Sequence, residues 1–317
     1  EATTSSLEAL KAFSVGNTQR ARGSDIDSIP FYKRAVELDP NFAMAYATLA
    51  AVYGNLGESA LAPVNAQKAF ELRERVSERE RLYISAHYYT NMGDLDKSIE
   101  QYLLWEKIYP RDWIPYNNLC SIYGAVGAHD DALPQGVRAL ELQLHDPLPY
   151  TSLASVYLAL NRFEEGKAVS DRQISNGMGD VVAHNILYTV AAVQNSPTVM
   201  EAQIAWGRGQ PEELFQLLLV SEHASLSGKR SESSFLAQRA RELAGRQKLT
   251  LIAALSEAIE ASRLAEFGFL AEAHALAMRS AAKDEGLNVQ SLAADVLVAT
   301  GDEARATAIV EKLAKKY

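Results

Sequence analysis

The chain has 317 residues, 48% hydrophobic and 22% charged, enough apolar material for an extensive core and too little charge for a disordered polymer. Its 31 basic and 40 acidic residues leave a formal net charge of −9, which argues against general affinity for nucleic acid or an anionic membrane, since both want a basic face. No uninterrupted apolar run approaches the roughly 18 residues that span a bilayer, and the length suggests two or so domains.

The opening EATTSSLEAL has neither an initiator methionine nor a basic-then-apolar leader pattern, and it reads as the start of a piece of something longer. Past it, nearly every long segment places apolar residues at three-and-four spacing, strict alternation is nearly absent, and proline is scarce at ten residues. The period predicts an all-α chain of many short helices.

FYKRAVELDPNFAMAYATLAAVYGNLGE, residues 31–58, reads as the end of one helix, a sharp break, and a second helix closed by glycine. That wording recurs. Gly23, Gly57, Gly93, Gly127 and Asn161 are predicted to end the first helix of successive hairpins. They return at a period of about 34 residues, with only the interval from Gly57 to Gly93 slightly longer. Glycine and asparagine tolerate the left-handed conformation that closes a helix. Four residues before the last four of these stand Tyr53, Tyr89, Tyr123 and Tyr157, and five residues after each of the five stand Ser28, Ala62, Ser98, Ala132 and Gly166. The small residue marks where paired helices approach most closely. The tyrosine fills the groove between them, together with Leu49, Leu119 and Leu153.

Asp39-Pro40 and Asp146-Pro147 are expected to start helices, with aspartate as cap and proline in the first turn, where its missing N–H is not needed. In ELRERVSERERLY, Ser77 and Glu80 form a capping box that starts a helix without proline and accounts for the one longer interval. The single cysteine, Cys120, rules out an intrachain disulfide and points to a reducing, cytoplasmic compartment. Within NNLCSIYG it falls on a buried helical stripe and reads as a small core residue rather than a nucleophile.

This helix–turn–helix period resembles the tetratricopeptide repeat family. The likeness is carried by YATLAAVYGNLGESALA (46–62), YNNLCSIYGAVGAHDDA (116–132) and YTSLASVYLALNRFEEG (150–166). It implies a right-handed superhelical solenoid of antiparallel hairpins, about nine of them over the whole length. Residues 1–178 are expected to hold regular repeats, and residues 179–317 degenerate ones continuing the same solenoid. In the second stretch Gly228, Gly268 and Gly301 still read as turns and Ser233, Ala273 and Ala306 as close-approach positions, while Ala224, Leu264 and Leu297 replace the tyrosines.

A narrower likeness covers mainly residues 1–110. TTSSLEALKAFSVG, IPFYKRAVELDPNFAMAYATLA and LRERVSERERLYISAHYY are similar to the C-terminal repeat region of bacterial serine/threonine protein kinases. Related regions follow winged-helix domains in some transcriptional regulators. The likeness implies the non-catalytic part of a signalling protein.

Chemistry-bearing motifs are absent from the sequence. There is no HRD, DFG, GxSxG or HExxH, and SGKR (227–230) lacks the first glycine of a phosphate loop. The six histidines are scattered, so neither a metal nor another cofactor is expected, and the chain does not read as an enzyme.

Stacked hairpins make a concave face lined by the first helix of each repeat. By the family's pattern the inward positions are Met44, Ala47 and Ala51, then Tyr83, His87, Thr90 and Asn91, then Asn117, Ser121 and Gly124, then Thr151, Ser155 and Leu158. Asn118 falls where family members hold a ligand's backbone with an amide, a group that can both donate and accept. The family's carboxylate clamp needs lysine and arginine on this face, and none stands at the corresponding places. A peptide-binding site of Tyr83, His87, Asn91, Asn117, Asn118, Ser121, Thr151 and Ser155 therefore suits a neutral to mildly apolar protein or peptide segment, with Ala47, Ala51 and Gly124 leaving room. Tyr83 and His87 can equally pack against the next repeat, and Asn118 can bridge repeats. Three functions stay open: an interaction scaffold, a ligand-sensing regulatory domain, and an enzyme built from distant residues. Self-association is compatible with each, because repeat ends expose apolar surface.

Overall fold

A computed structural model gives the structure of the chain and describes residues 3–22, 24–56, 58 and 60–316. Among the described residues there are eighteen α-helices, one short 3₁₀ turn at Arg73–Arg75 and no strand. The chain divides into two compact units, Glu1–Leu56 with Leu61–Glu212, and Glu213–Tyr317 with Gly57–Ala60.

In the first unit α1 (Leu7–Ala21) pairs with α2 (Asp25–Leu38), α3 (Ala43–Asn55) with α4 (Leu61–Glu71), and α5 (Glu78–Asn91) with α6 (Leu95–Ile108). They are followed by α7 (Trp113–Ala125) with α8 (His129–Leu142), α9 (Pro147–Ala159) with α10 (Phe163–Ser175), and α11 (Val181–Val193) with α12 (Pro197–Gly207). The second unit pairs α13 (Glu213–Leu226) with α14 (Arg230–Arg246), α15 (Thr250–Glu266) with α16 (Leu270–Lys283), and α17 (Leu287–Ala299) with α18 (Glu303–Lys316). Nine hairpins among the described residues agree with the expected number. The compact division after Glu212 is a separate boundary from the fading of the repeat wording near residue 178. Helices α11 and α12 pack in the first unit although Ala191 stands where the repeat has its tyrosine, four residues before the turn at Asn195.

Turn chemistry sets the hairpins. Gly93, Gly127 and Asn161 have φ of 77°, 80° and 58°, the left-handed geometry that the period demanded, and Gly228, Gly268 and Gly301 share it at 75°, 83° and 84°. Gly23 and Gly57 lie outside the described residues. One further hairpin, α11–α12, turns on a residue the glycine pattern passes over, Asn195 at φ 51°, and Lys248 at φ 62° makes the left-handed turn between hairpins, from α14 to α15. The close-approach positions are all buried: Ser28, Ser98, Ala132 and Ala273 are at 0% exposure, and Gly166 packs where an added Cβ would meet Leu158 Cδ1 at 2.7 Å.

Helix starts follow the caps in part. Ser77 and Glu80 form the capping box of α5, and Asp146 caps α9 ahead of Pro147. Asp39-Pro40 does not start a helix. Asp39 is the C-cap of α2, its carboxylate accepts from Asn41 N, and α3 begins three residues after Pro40, at Ala43. Here the aspartate closes a turn instead of a helix N-terminus.

Candidate functional site

Within the first unit the chemistry of interest lies on α5, α7 and α9. Tyr83, His87 and Asn91 are spaced four apart on α5 and so share one face. The Tyr83 and His87 rings lie 4.1 Å apart, and the edge of His87 meets Tyr102 at 5.9 Å. The Asn118 amide on α7 reaches His87 Nε2 at 3.4 Å, a contact between hairpins. Asn91 donates its amide to the carbonyl of His87 at 2.8 Å. Burial, reinforced by the nearby Arg20 guanidinium, lowers the pKa of His87 to about 3. The imidazole is therefore neutral across the physiological range.

Tyr83 is half-buried. It packs with Ala47 and Ile84 on one side and stands edge-on to Trp105 at 5.9 Å on the other. Ala47 is 1% exposed and belongs to that core, so it leaves no room for a ligand. Asn117 and Thr151, at 5% and 8% exposure, are also turned into the packing, and Asn117 Oδ1 is buried without a hydrogen-bond partner. Ser121 and Ser155 remain exposed. Together with Thr151, Gly124 and the unpredicted Ser152 and His129 they line a cleft of about 310 Å³ between α7 and α9. Cys120 forms part of its floor. Burial pushes the Cys120 thiol up to about 12, so it is no nucleophile.

Two further features escape a reading by period. Arg20, near the end of α1, stands beside the α5 cluster and pairs with Asp25 at 2.8 Å. Burial works against its charge, but Asp25, Tyr83 and Tyr32 outweigh that and raise its pKa. A cation is thus present, already neutralised by its own carboxylate. Ser24, at the start of α2, donates to Glu212 Oε1 at 2.7 Å, tying the first hairpin to the end of the unit. Burial, then the carboxylates of Asp27 and Asp25, raise Glu212 to about 7 against the Ser24 hydrogen bond. The Ser24–Glu212 bond and the approach of Arg20 to α5 join residues far apart in sequence and leave no local signature. Among the described residues no group of three or more histidines, cysteines or carboxylates is placed to hold a metal ion, and no helix is long and apolar enough to cross a membrane.

Residues 31–62 match the family model of the tetratricopeptide repeat. No curated protein sequence matches the chain. Among solved structures, the APC/C hetero-tetramer Cut9–Hcn1 aligns over 93% of this chain and 57% of its own, at 13% identity and a TM-score of 0.60. That likeness shows the fold: a helical-hairpin repeat of tetratricopeptide type. PilF of Pseudomonas aeruginosa aligns over 63% of this chain and 90% of its own, at 17% identity and a TM-score of 0.39. A tetratricopeptide repeat protein from Parabacteroides merdae aligns over 79% and 99%, at 12% identity and a TM-score of 0.46.

Proposed function

We propose that the chain is a non-catalytic scaffold whose first unit binds a neutral to mildly apolar segment of a partner protein along α5, α7 and α9. The observation that carries this reading is the open hydroxyl-lined cleft between α7 and α9, on a fold that matches an interaction repeat. Ser121 and Ser155 are its exposed contacts, and the carbonyls of Asn117 and Thr151 brace them, while Asn118 ties α7 to His87 on α5. The test is selection of random dodecapeptides on the whole chain, followed by binding to a Ser121→Glu, Ser155→Glu variant. Both positions are exposed, so the fold is kept. Loss of the selected peptides supports the reading, and undiminished binding refutes it.

The parent protein we propose is a bacterial serine/threonine kinase with this chain as its C-terminal region. The support is the wording of residues 1–110, and the coding sequence upstream of Glu1 tests it. Residues 179–317 then continue the series as degenerate repeats. The Ser24–Glu212 contact favours a second reading, a ligand-sensing regulatory domain of a transcriptional regulator, because it closes the first unit upon itself. A winged helix encoded upstream would favour that reading over the kinase.

A further inference from the structure

The hydroxyls of the cleft are already committed as donors. Ser155 donates to the carbonyl of Thr151 at 2.8 Å and Thr151 to that of Leu148 at 2.9 Å. Ser121 bonds the carbonyl of Asn117 at 3.1 Å and meets Ser152 at 3.3 Å. A hydroxyl has one proton and two lone pairs, so what these side chains offer a guest is acceptors. His129 adds a buried Nδ1 without a hydrogen-bond partner, an acceptor in its Nε2–H tautomer. The remaining wall is aliphatic, from Val156 and Val182, and no lining residue carries a carboxylate, ammonium or guanidinium.

These properties select a guest. A charged group would lose its hydration and find no counter-charge. A carboxyl or carbonyl would set its lone pairs against those of the serines. A small amide would leave most of a cleft of about 310 Å³ empty, a volume at the lower end for small-ligand sites. An indole combines a large apolar body with one N–H and no acceptor. Resting on the scaffold reading above, we infer that this cleft takes a tryptophan side chain of the partner segment, its ring against Val156 and Val182 and its N–H on the Ser121 and Ser155 oxygens.

The probes are N-acetyl-tryptophanamide, its indole-N-methyl analogue, N-acetyl-phenylalaninamide, free indole, and a blocked Gly-Gly-Trp-Gly-Gly peptide. Each is titrated into the full chain while backbone amide NMR shifts are followed. The expected result is shifts at Ser121, Gly124, Thr151 and Ser155, with the N-methyl analogue about fivefold weaker for the lost hydrogen bond. Ala159→Phe, at an exposed lining position, should abolish the shifts with the melting temperature unchanged. Ser155→Ala should weaken the parent probe and leave the N-methyl analogue unaffected. Equal binding of the N-methyl or phenylalanine compounds, or no shifts at these residues, overturns the inference. So does free indole binding more tightly than the peptide, which would assign the cleft to a small molecule. If library-selected dodecapeptides bind the face but contain no required tryptophan, this inference fails and the scaffold reading stands. If no peptide binds anywhere, both fall.

Discussion

The two units build the same hairpin from different materials. In the first, helices run from 11 residues in α4 to 15 residues in α1. They are held by large aromatics: Trp105, Tyr32, Tyr102 and Tyr150 are almost wholly buried. In the second, the filler is alanine, with Ala254, Ala258, Ala261, Ala273, Ala277 and Ala293 all at 0% exposure, and α14 and α15 extend to 17 residues. A small side chain removes less apolar area from water, and the added length supplies more of it. Both units bring carboxylates inside, and in the second unit they meet basic side chains. Glu257, whose side chain is 4% exposed, is met by Arg279 at 3.0 Å and Lys283 at 2.8 Å, and Glu260 by Arg241 at 2.7 Å. Common to both, in each hairpin with a described turn residue except α11–α12, are the left-handed turn residue and the small residue five positions later. Those two features set the hairpin, and the filler between helices can be exchanged.

The largest expected effect on this comparison is at an aromatic filler. Trp105→Ala should cost about 3–5 kcal/mol, from the cavity and the lost Nε1 hydrogen bond to Asp112, read as a lowered melting transition. No single alanine in the second unit can be truncated to comparable effect. Overpacking should treat the units alike. Ala62→Leu and Ala273→Leu should each cost about 1–3 kcal/mol. An unchanged melt in either would show that its position is not a close approach. Replacing Arg279 and Lys283 with Met leaves Glu257 buried and unpaired. About 1–3 kcal/mol should be lost, and faster amide exchange in α15 and α16 checks it.

The smallest effects sharpen the comparison through pH. Glu80 in the first unit is pushed upward by burial, but hydrogen bonds from Thr3 and Ser77 outweigh this and lower its pKa below 4.5. Its folded pKa lies below its unfolded one, so it stabilises above the unfolded value and loses that as pH falls through the folded one. Glu80→Gln should therefore be costly at pH 7 and nearly neutral in acid. Glu212 behaves oppositely. Its folded value of about 7 exceeds 4.5, so its penalty grows between those pH values and is full above them. Glu212→Gln keeps an acceptor for Ser24 and should raise the melting temperature at pH 8 but not at pH 4. The reverse pH dependence would show that the carboxylate is not held among Asp25 and Asp27.

The sequence made the repeat legible where the hairpins of residues 24–175 write their turn, their close approach and their groove filler at a fixed period. It failed where another residue type does the same work: Asn195 and Lys248 take the left-handed turn without glycine, and Asp39 commits its carboxylate to a turn. The candidate site was legible by helix face but not by depth. Ser121 and Ser155 came out exposed, whereas Asn117, Thr151 and Ala47 turned inward, a matter of neighbouring helices that spacing does not report. The placement of Arg20 beside α5 and the Ser24–Glu212 contact were out of reach, since both are set by packing across the unit.

The most direct test is amide hydrogen exchange on the full chain with and without a library-selected dodecapeptide. If the first unit carries the binding face, protection should appear in α5, α7 and α9 and nowhere in α13–α18. Protection confined to the second unit, or spread over neither, would contradict the account.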